Sequence, residues 1–347
     1  KLKKISIDPN NKDFREVFEI GGVVHNISLG GLHSINNAEI IIPDEDELLL
    51  DYDVDSYYPS CLIVNNLYPK HLGIEFVDIY KSIRDERVEA KKDKNSFLAD
   101  AFKYSINGLS GNLQSQYSWT YDPELVVKLR INCQLMILML IEKFDLLGAK
   151  IVQSNTDGIL IKIKKSLLPE IEKAKDEWCK LTKLSMSKEE FERFYQYDVN
   201  NYIGVKKGFK ETKDPELIKK KGFFVDEINL GKGMSPKVIA KSLINYFVYN
   251  ISPEETLKED KDIRDYLTYQ RVSRDFIVEY NGEKALHINR FYMSTNGGIL
   301  IKYKMEKGGK EQATRLCATS PVTIYNKFED KPFEEYKVNY RYYKNEI

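Results

Sequence analysis

The chain has 347 residues, with 53 Lys and Arg balanced by 53 Asp and Glu, and 42% of its residues are hydrophobic. That size allows a large core and two or three subdomains, and the mix suits a soluble globular protein rather than a disordered or membrane-embedded one. A formal charge of zero excludes a uniformly polybasic chain, so a polyanionic partner would need cations segregated in space.

The charges are segregated in sequence. Residues 44–55 hold seven acids and no Lys or Arg, whereas 201–241 hold ten lysines against five acids. The four cysteines (Cys61, Cys133, Cys179, Cys317) are far apart and form no CxxC pair, which argues against a zinc site or a disulfide framework and for a reducing interior. The longest apolar run, LMILMLI at 135–141, is too short to span a bilayer, so no membrane association is expected. The sequence begins at Lys1 without Met, and upstream domains are expected.

In chain order, residues 1–47 read as short strands and loops, with SLGG (28–31) as a Gly-Gly turn. ELLLDYDVD reads as a buried strand that ends in Asp51, Asp53 and Asp55. Acids crowded at a strand end are costly without a cation nearby. From about Phe76 to Lys92 the pattern is helical, and SFLADAFKYSING forms a second helix capped by Asn95 or Ser96, making an antiparallel hairpin. PELVVKLRINCQLMILMLIEKFDLLG is a long buried helix, and AKIVQSNTDGILIKIK is a β-hairpin turning on Asn-Thr-Asp-Gly. Residues 166–195 read as helical. NNYIGVKKGF and IKKKGFFVDE read as strands around a Lys-rich turn, and two helices after Ser235 give way to aromatic-rich segments.

Asp53 ends one strand and Asp157 sits in a hairpin turn about a hundred residues later; converging on divalent cations, they would suit phosphoryl transfer. Arg87 and Lys91 share one helix face at i, i+4 spacing, as do Lys103 and Asn107 on the next helix, and together they could face one polyanion such as a nucleoside triphosphate.

These residues carry a resemblance. DVDSYYPS (53–60) resembles motif A of family B DNA polymerases, DxxSLYPS. KYSINGLSG (103–111) resembles motif B, KxxxNSxYG, and QSNTDG (153–158) resembles motif C, YxDTDS. RVEAK (87–91) matches the Arg/Lys pair of the first fingers helix. SLGG is similar to the YxGG template-contact motif, and NNYIGVKKG with KKKGFF is similar to the KKRY region that tracks the primer. INRFYMS and the closing YRYY resemble thumb elements of phage-type members.

The resemblance implies an α+β fold: a palm with an antiparallel sheet, helical-hairpin fingers and a mostly helical thumb. It assigns 1–75 to the palm with the template-contact and motif A segments, 76–112 to the fingers, 113–234 to the palm with motif C, and 235–347 to the thumb. It implies a DNA-directed DNA polymerase core that transfers nucleotides from dNTPs to a primer 3′-OH with two Mg²⁺ ions. Asp53 and Asp157 would hold the metals with the Val54 carbonyl. Ser56 and Tyr57 would offer backbone amides to the triphosphate, Tyr58 would exclude a ribose 2′-OH, and Arg87, Lys91, Lys103 and Asn107 would grip the phosphates. Gly30, Gly31, Tyr202, Lys206, Lys207 and Lys221 would contact primer-template DNA. A cytoplasmic setting follows, that of the host for a viral enzyme, with an N-terminal exonuclease region or other replication proteins as partners.

The sequence departs from the family pattern at several points. Asn155 replaces the first Asp of motif C, Gly108 and Ser110 take the Ser and Tyr positions of motif B, Ser28 replaces the Tyr of YxGG, and Val199, Asn200 and Asn201 replace KKR ahead of Tyr202. No DxE-type exonuclease acids precede motif A, so this chain is not expected to proofread. One alternative is a reverse transcriptase or RNA polymerase, which would want adjacent acids in the hairpin turn. The other is a degenerate polymerase-like DNA-binding module without catalysis.

Overall fold

The computed structural model describes residues 14–93, 95–226, 234–306, 309–310 and 312–347, and it is a mixture of helices and antiparallel sheets, an α+β fold. Two compact units divide it: residues 1–200 with 204–219, and residues 201–203 with 220–347.

The first unit is organised around one strand. Its elements are β1 (Arg15–Ile20), β2 (Val23–Ser28), β3 (Leu32–Ile35), β4 (Glu39–Ile41), β5 (Glu47–Val54), α1 (Tyr57–Val64), α2 (Glu75–Lys92), α3 (Ser96–Asn112), α4 (Pro123–Leu146), β6 (Lys150–Asn155), β7 (Gly158–Lys164), α5 (Leu168–Thr182) and β8 (Met186–Asp198). The sheet runs β1-β2-β3-β6-β7-β5-β8, with β4 also on β8. β5 pairs with β7 from Glu47↔Lys164 to Asp53↔Gly158, and with β8 from Leu49↔Phe191 to Val54↔Met186.

Strand alternation explains how acids tolerate this central position. Leu50, Tyr52 and Val54 are buried in the core with Ile137, Ile141 and Phe144 of α4 and Trp178 of α5. Asp51 and Asp53 therefore point to the opposite face. Tyr52 meets Phe144 with ring centroids 5.4 Å apart, and each fully buried ring contributes roughly 2–3 kcal/mol. Asp122 caps α4 by accepting from the Leu125 amide at 2.9 Å, and Pro123 occupies its first turn, where no N–H is required.

α2 and α3 form the expected helical hairpin. The Asn95 side chain accepts from the Leu98 amide at 3.1 Å, and Tyr80 of α2 donates to the Ile106 carbonyl of α3 at 2.7 Å. The helical reading of 166–195 is corrected: α5 ends where Lys183 turns left-handed (φ 57°), and 186–198 is strand β8. The charged stretch SKEEFER resembles a solvated helix, but its acids find cations on adjacent backbone instead: Glu189 with Lys206 at 2.6 Å and Glu190 with Lys207 at 3.1 Å.

The boundary between the units passes through β9 (Asn201–Lys206); α6 (Phe209–Thr212) belongs to the first unit, and the chain enters the second within β10 (Ile218–Lys221). The second unit continues with α7 (Lys237–Ile244), α8 (Pro253–Glu259), β11 (Thr268–Arg271), β12 (Ile277–Tyr280), β13 (Glu283–Lys284), β14 (Ile288–Gly298), β15 (Leu300–Tyr303), β16 (Met305–Glu306), β17 (Gly309–Lys310), β18 (Thr314–Arg315), β19 (Val322–Ile324) and α9 (Tyr340–Glu346). Strands order as β11-β14-β19, β13-β12-β15-β18 and β16-β17. A mostly helical 235–347 is therefore corrected: beyond Leu267 the segment is largely strand and loop. Its aromatic and β-branched residues suit a pleated, half-buried surface, and buried tyrosines tie it together. Tyr343 donates to the Tyr266 carbonyl at 2.8 Å and accepts from the Met293 amide at 3.0 Å.

Candidate active site

The end of β5 and the β6–β7 turn are joined through the main chain. The Val54 amide donates to the Asp157 carbonyl at 2.8 Å, and the Thr156 amide donates to Leu32 on β3 at 2.7 Å. Asp53 lies opposite Gly158, where a Cβ would come within 3.2 Å of the Asp53 Oδ1. Gly158 thus leaves the room that the carboxylate takes.

Burial, then the neighbouring charges of Asp157 and Asp51, push the Asp53 carboxyl up to about 7. Asp51 already has a cation, Lys219, at 2.8 Å. Asp53 and Asp157 are two close acids lining one cavity, and the repulsion between them is what a divalent cation relieves, so the pair fits Mg²⁺, which needs only one or two protein carboxylates. Among the described residues no group of three or more His, Cys, Asp or Glu side chains could hold a metal by itself.

The cavity, about 560 Å³, brings together residues from six elements and the turns between them. Acids and backbone of 53–59 line it with Asp157 and Ser187. Arg87 comes from α2, and Lys103, Asn107, Ser110 and Gly111 come from α3. Val126, Leu129 and Arg130 come from α4. Lys103 and Asn107 are both exposed, one turn apart. Arg87 donates through Nη1 to the Ser56 hydroxyl, while its Nε is buried without a hydrogen-bond partner among the described residues. Ser56 itself is left-handed (φ 48°) and makes no side-chain cap on α1. Lys91 lies one turn beyond Arg87 on α2, but its side chain is outside the described residues.

Tyr57 and Tyr58 divide into two roles. Tyr57 is buried and its hydroxyl donates to the Cys133 carbonyl in α4. Tyr58 is half-buried, stacks on Tyr57 with centroids 6.1 Å apart, and is pushed up to about 12 by burial. Its hydroxyl lies near Gly31: a Cβ there would come within 3.4 Å of it and within 3.2 Å of the Thr156 hydroxyl. With φ at +145°, Gly31 is where the SLGG turn comes against both acid-bearing segments.

α4 holds that turn in place, and the sequence alone did not single out the residues responsible. Gln134, 1% exposed, accepts from the Ser28 amide at 3.1 Å and donates to the Ser28 carbonyl at 2.9 Å. Arg130 donates to the Leu29 carbonyl at 2.7 Å and to Gln114 at 3.0 Å while lining the cavity. Ser187 and Arg130 are further lining residues that lie outside the motifs, and Ser110 lines the cavity from the Tyr position of motif B. Arg130 and Gln134 are spaced i, i+4 on a helix that reads as plain core, which is the one sequence signal they carry.

The residues expected to contact DNA fall in several places. Gly30 is exposed and Gly31 buried in the turn. Lys206 and Lys207 are paired with Glu189 and Glu190 in the first unit. In the second unit Tyr202 is buried, and the Lys221 ammonium lies 5.7 Å from its ring centroid. The departure at position 155 has a structural partner: the Asn155 amide donates to the Val199 carbonyl at 2.9 Å. Among the described residues no helix is long and apolar enough to cross a membrane.

No family model matches the sequence, and no curated protein does. Among solved structures, the chain is similar to the family B DNA polymerase from the hyperthermophilic archaeon Pyrobaculum calidifontis, with a TM-score of 0.46 and 14% identity. The match covers 88% of this chain and 45% of that one, so the chain spans less than half of that polymerase.

Proposed function

We propose that the cavity performs template-directed nucleotidyl transfer from dNTPs to a primer 3′-OH, making the chain a DNA polymerase core of the phage family B type. The observation that carries this reading is the convergence, in one cavity, of Asp53 and Asp157 with Arg87, Lys103 and Asn107. The order and content of the three motifs support it; the distant structural likeness adds no weight.

Asp53 and Asp157, with the Val54 carbonyl, would hold two Mg²⁺ ions. Such ions, when bound, supply Lewis-acid activation of the attacking oxygen and stabilisation of the leaving one. Arg87, Lys91 and Lys103 would bind the triphosphate and offset its charge, more strongly in a cavity than in open water. Asn107 adds a neutral donor one turn from Lys103. Tyr57 supports the floor from below, and Tyr58 orients the sugar and excludes a 2′-hydroxyl by its bulk. Arg130 and Gln134 hold the SLGG turn, with Gly30 and Gly31, where a template strand would pass. Lys206 and Lys207 would contact the duplex by exchanging Glu189 and Glu190 for phosphates, at a modest cost for the more exposed Lys207 pair, and Tyr202 and Lys221 would be further duplex contacts. A replication role in a cytoplasm, the host's for a phage enzyme, completes the reading.

Primer extension on a defined template with Mg²⁺ and the four dNTPs tests it. Template-dependent products lost on chelation are expected. DNA binding with no extension at any divalent-metal concentration would point instead to a non-catalytic DNA-binding module.

A further inference from the structure

The second unit contains a cavity of about 420 Å³ between α8 and α9 that the proposed reaction does not use. Its floor is apolar: Leu257 is buried there, and the ring of Tyr340 lies at its edge, 37% exposed. Its rim is cationic, with Lys258 and Lys261 on one side and Arg341 and Lys344 on the other. The Lys261 ammonium lies 5.1 Å from the Phe333 ring centroid and 5.9 Å from that of Tyr340, and it donates to the Tyr340 hydroxyl at 3.4 Å, so aromatic surface and, among the described residues, no carboxylate faces this charge.

Nearby acids do not cancel this charge. Glu254, the one carboxylate lining the groove, is 2.6 Å from Lys344. Asp260 and Asp265 both bind Lys241, and Asp262 binds Arg264. Among the described residues no ion pair engages Lys258, Lys261 or Arg341. An apolar slot rimmed by three cations that no carboxylate among the described residues pairs asks for a ligand that is acidic outside and apolar at one point.

We propose that this groove docks an acidic peptide segment of a partner protein, anchored by one or two apolar side chains on Leu257 and Tyr340. Charge complementarity sets the acidic character, and the apolar floor of this open groove sets the apolar anchor. A nucleic-acid strand would satisfy the rim with its phosphates but could use the floor only by stacking a base on it. Tyr340 is moreover a single ring rather than a series of stacking platforms.

Fluorescence anisotropy on the full chain tests the proposal with a labelled dodecapeptide of Asp and Glu carrying a central Leu-Phe pair. The controls are the same peptide with Ser-Ser at its centre, and labelled single-stranded and duplex DNA. Micromolar-range binding of the Leu-Phe peptide is expected, on the order of Kd ~1–100 μM. The Ser-Ser peptide should bind at least about tenfold more weakly, and Lys258→Glu/Arg341→Glu should lose a similar factor. Both substituted residues are exposed, so folding should persist, and Lys258→Ser/Arg341→Ser gives a milder second variant. Three results would overturn the proposal: no peptide binding up to about 1 mM, equal binding of both peptides, or a charge reversal that weakens DNA but not peptide. Each leaves the reading of the first unit's cavity untouched.

Discussion

The backbone amide of Val54 donates to the backbone carbonyl of Asp157 at 2.8 Å, so the ends of two acid-bearing segments are held in register by a main-chain bond that does not involve a side chain. Changing either carboxylate should therefore alter chemistry without dismantling the site. Asp157→Asn is predicted to abolish primer extension while leaving primer-template affinity within about twofold, a change worth less than ~0.5 kcal/mol. Filter binding beside a gel-based extension assay reads both quantities. A parallel collapse of DNA binding would mean that Asp157 shapes the fold rather than serving a metal.

Asp53 makes a prediction about pH. Its carboxyl is raised to about 7 by burial first and by Asp157 and Asp51 next. The folded chain thus keeps a proton that the unfolded chain gives up at ordinary carboxylate pH. That contribution to stability is fully present below the ordinary range and is lost as pH rises through about 7. Asp53→Asn removes the repulsive charge, so it should melt at a higher temperature than the parent at pH 8.5, with the gain shrinking steadily toward pH 4.5. Mg²⁺ should raise the parent's Tm at pH 8.5 but have little effect on the variant. A Tm difference independent of both pH and Mg²⁺ would sink the carboxylate-pair account.

Lys103 is exposed on α3 and lines the cavity one turn from Asn107, so a solvated nucleotide could reach both. Lys103→Ala should raise KM for dNTP by tenfold or more, about 1.4 kcal/mol, and change DNA affinity little. Steady-state extension kinetics at saturating DNA, paired with a direct DNA titration, separate the two. Equal losses would make α3 an ordinary basic surface.

Much of this site could be read from the sequence because its parts are local. The Asn95 cap, the i, i+4 pairs on α2 and α3, the strand run ending at Asp53 and the Thr-Asp-Gly turn each lie within a few residues. What could not be read depends on partners far away in the chain. Gln134 and Arg130 read as ordinary members of a buried helix until β2 and its turn arrive from a hundred residues upstream. β8 reads as helix in the sequence because its acids are balanced only across neighbouring backbone, by Lys206, Lys207 and Lys219. Those same ion pairs explain why a lysine-rich stretch of sequence does not translate directly into a bare cationic groove.

Tyr58 and Gly31 test the floor of the site together. The tyrosine hydroxyl stands where a Cβ on Gly31 would come within 3.4 Å, so the turn limits how far the ring can tilt. Tyr58→Ala should admit ribonucleotides while retaining dNTP extension, whereas Tyr57→Leu, losing a hydroxyl bonded to Cys133, should lower stability with little change in sugar choice. Gly31→Ala should fall between them, crowding Tyr58 and Thr156 and lowering extension with both nucleotide types. Competition between dNTP and rNTP on one template measures all three. Ribonucleotide use that rises in Tyr57→Leu but not in Tyr58→Ala would shift the motif A register by one residue.

Asn155 gives the last prediction, since it stands where the family pattern has an acid and instead donates to the Val199 carbonyl at 2.9 Å. An aspartate there has no N–H to give and would set a carboxylate against that carbonyl. The expected loss is roughly 1–3 kcal/mol, the range for a part-buried acceptor left facing an acceptor. A further negative charge beside the turn would also raise the cost of ionising Asp53 and Asp157 together. Asn155→Asp should therefore melt at a lower temperature, most visibly above pH 7, yet retain extension at temperatures where it is folded, because the two proposed metal-holding carboxylates are unchanged. Asn155→Ala, which loses the donor without adding charge, should show a smaller drop in Tm that does not vary with pH. An Asn155→Asp variant that is fully stable but inactive would mean that position 155 acts on the chemistry directly rather than through its tie to Val199.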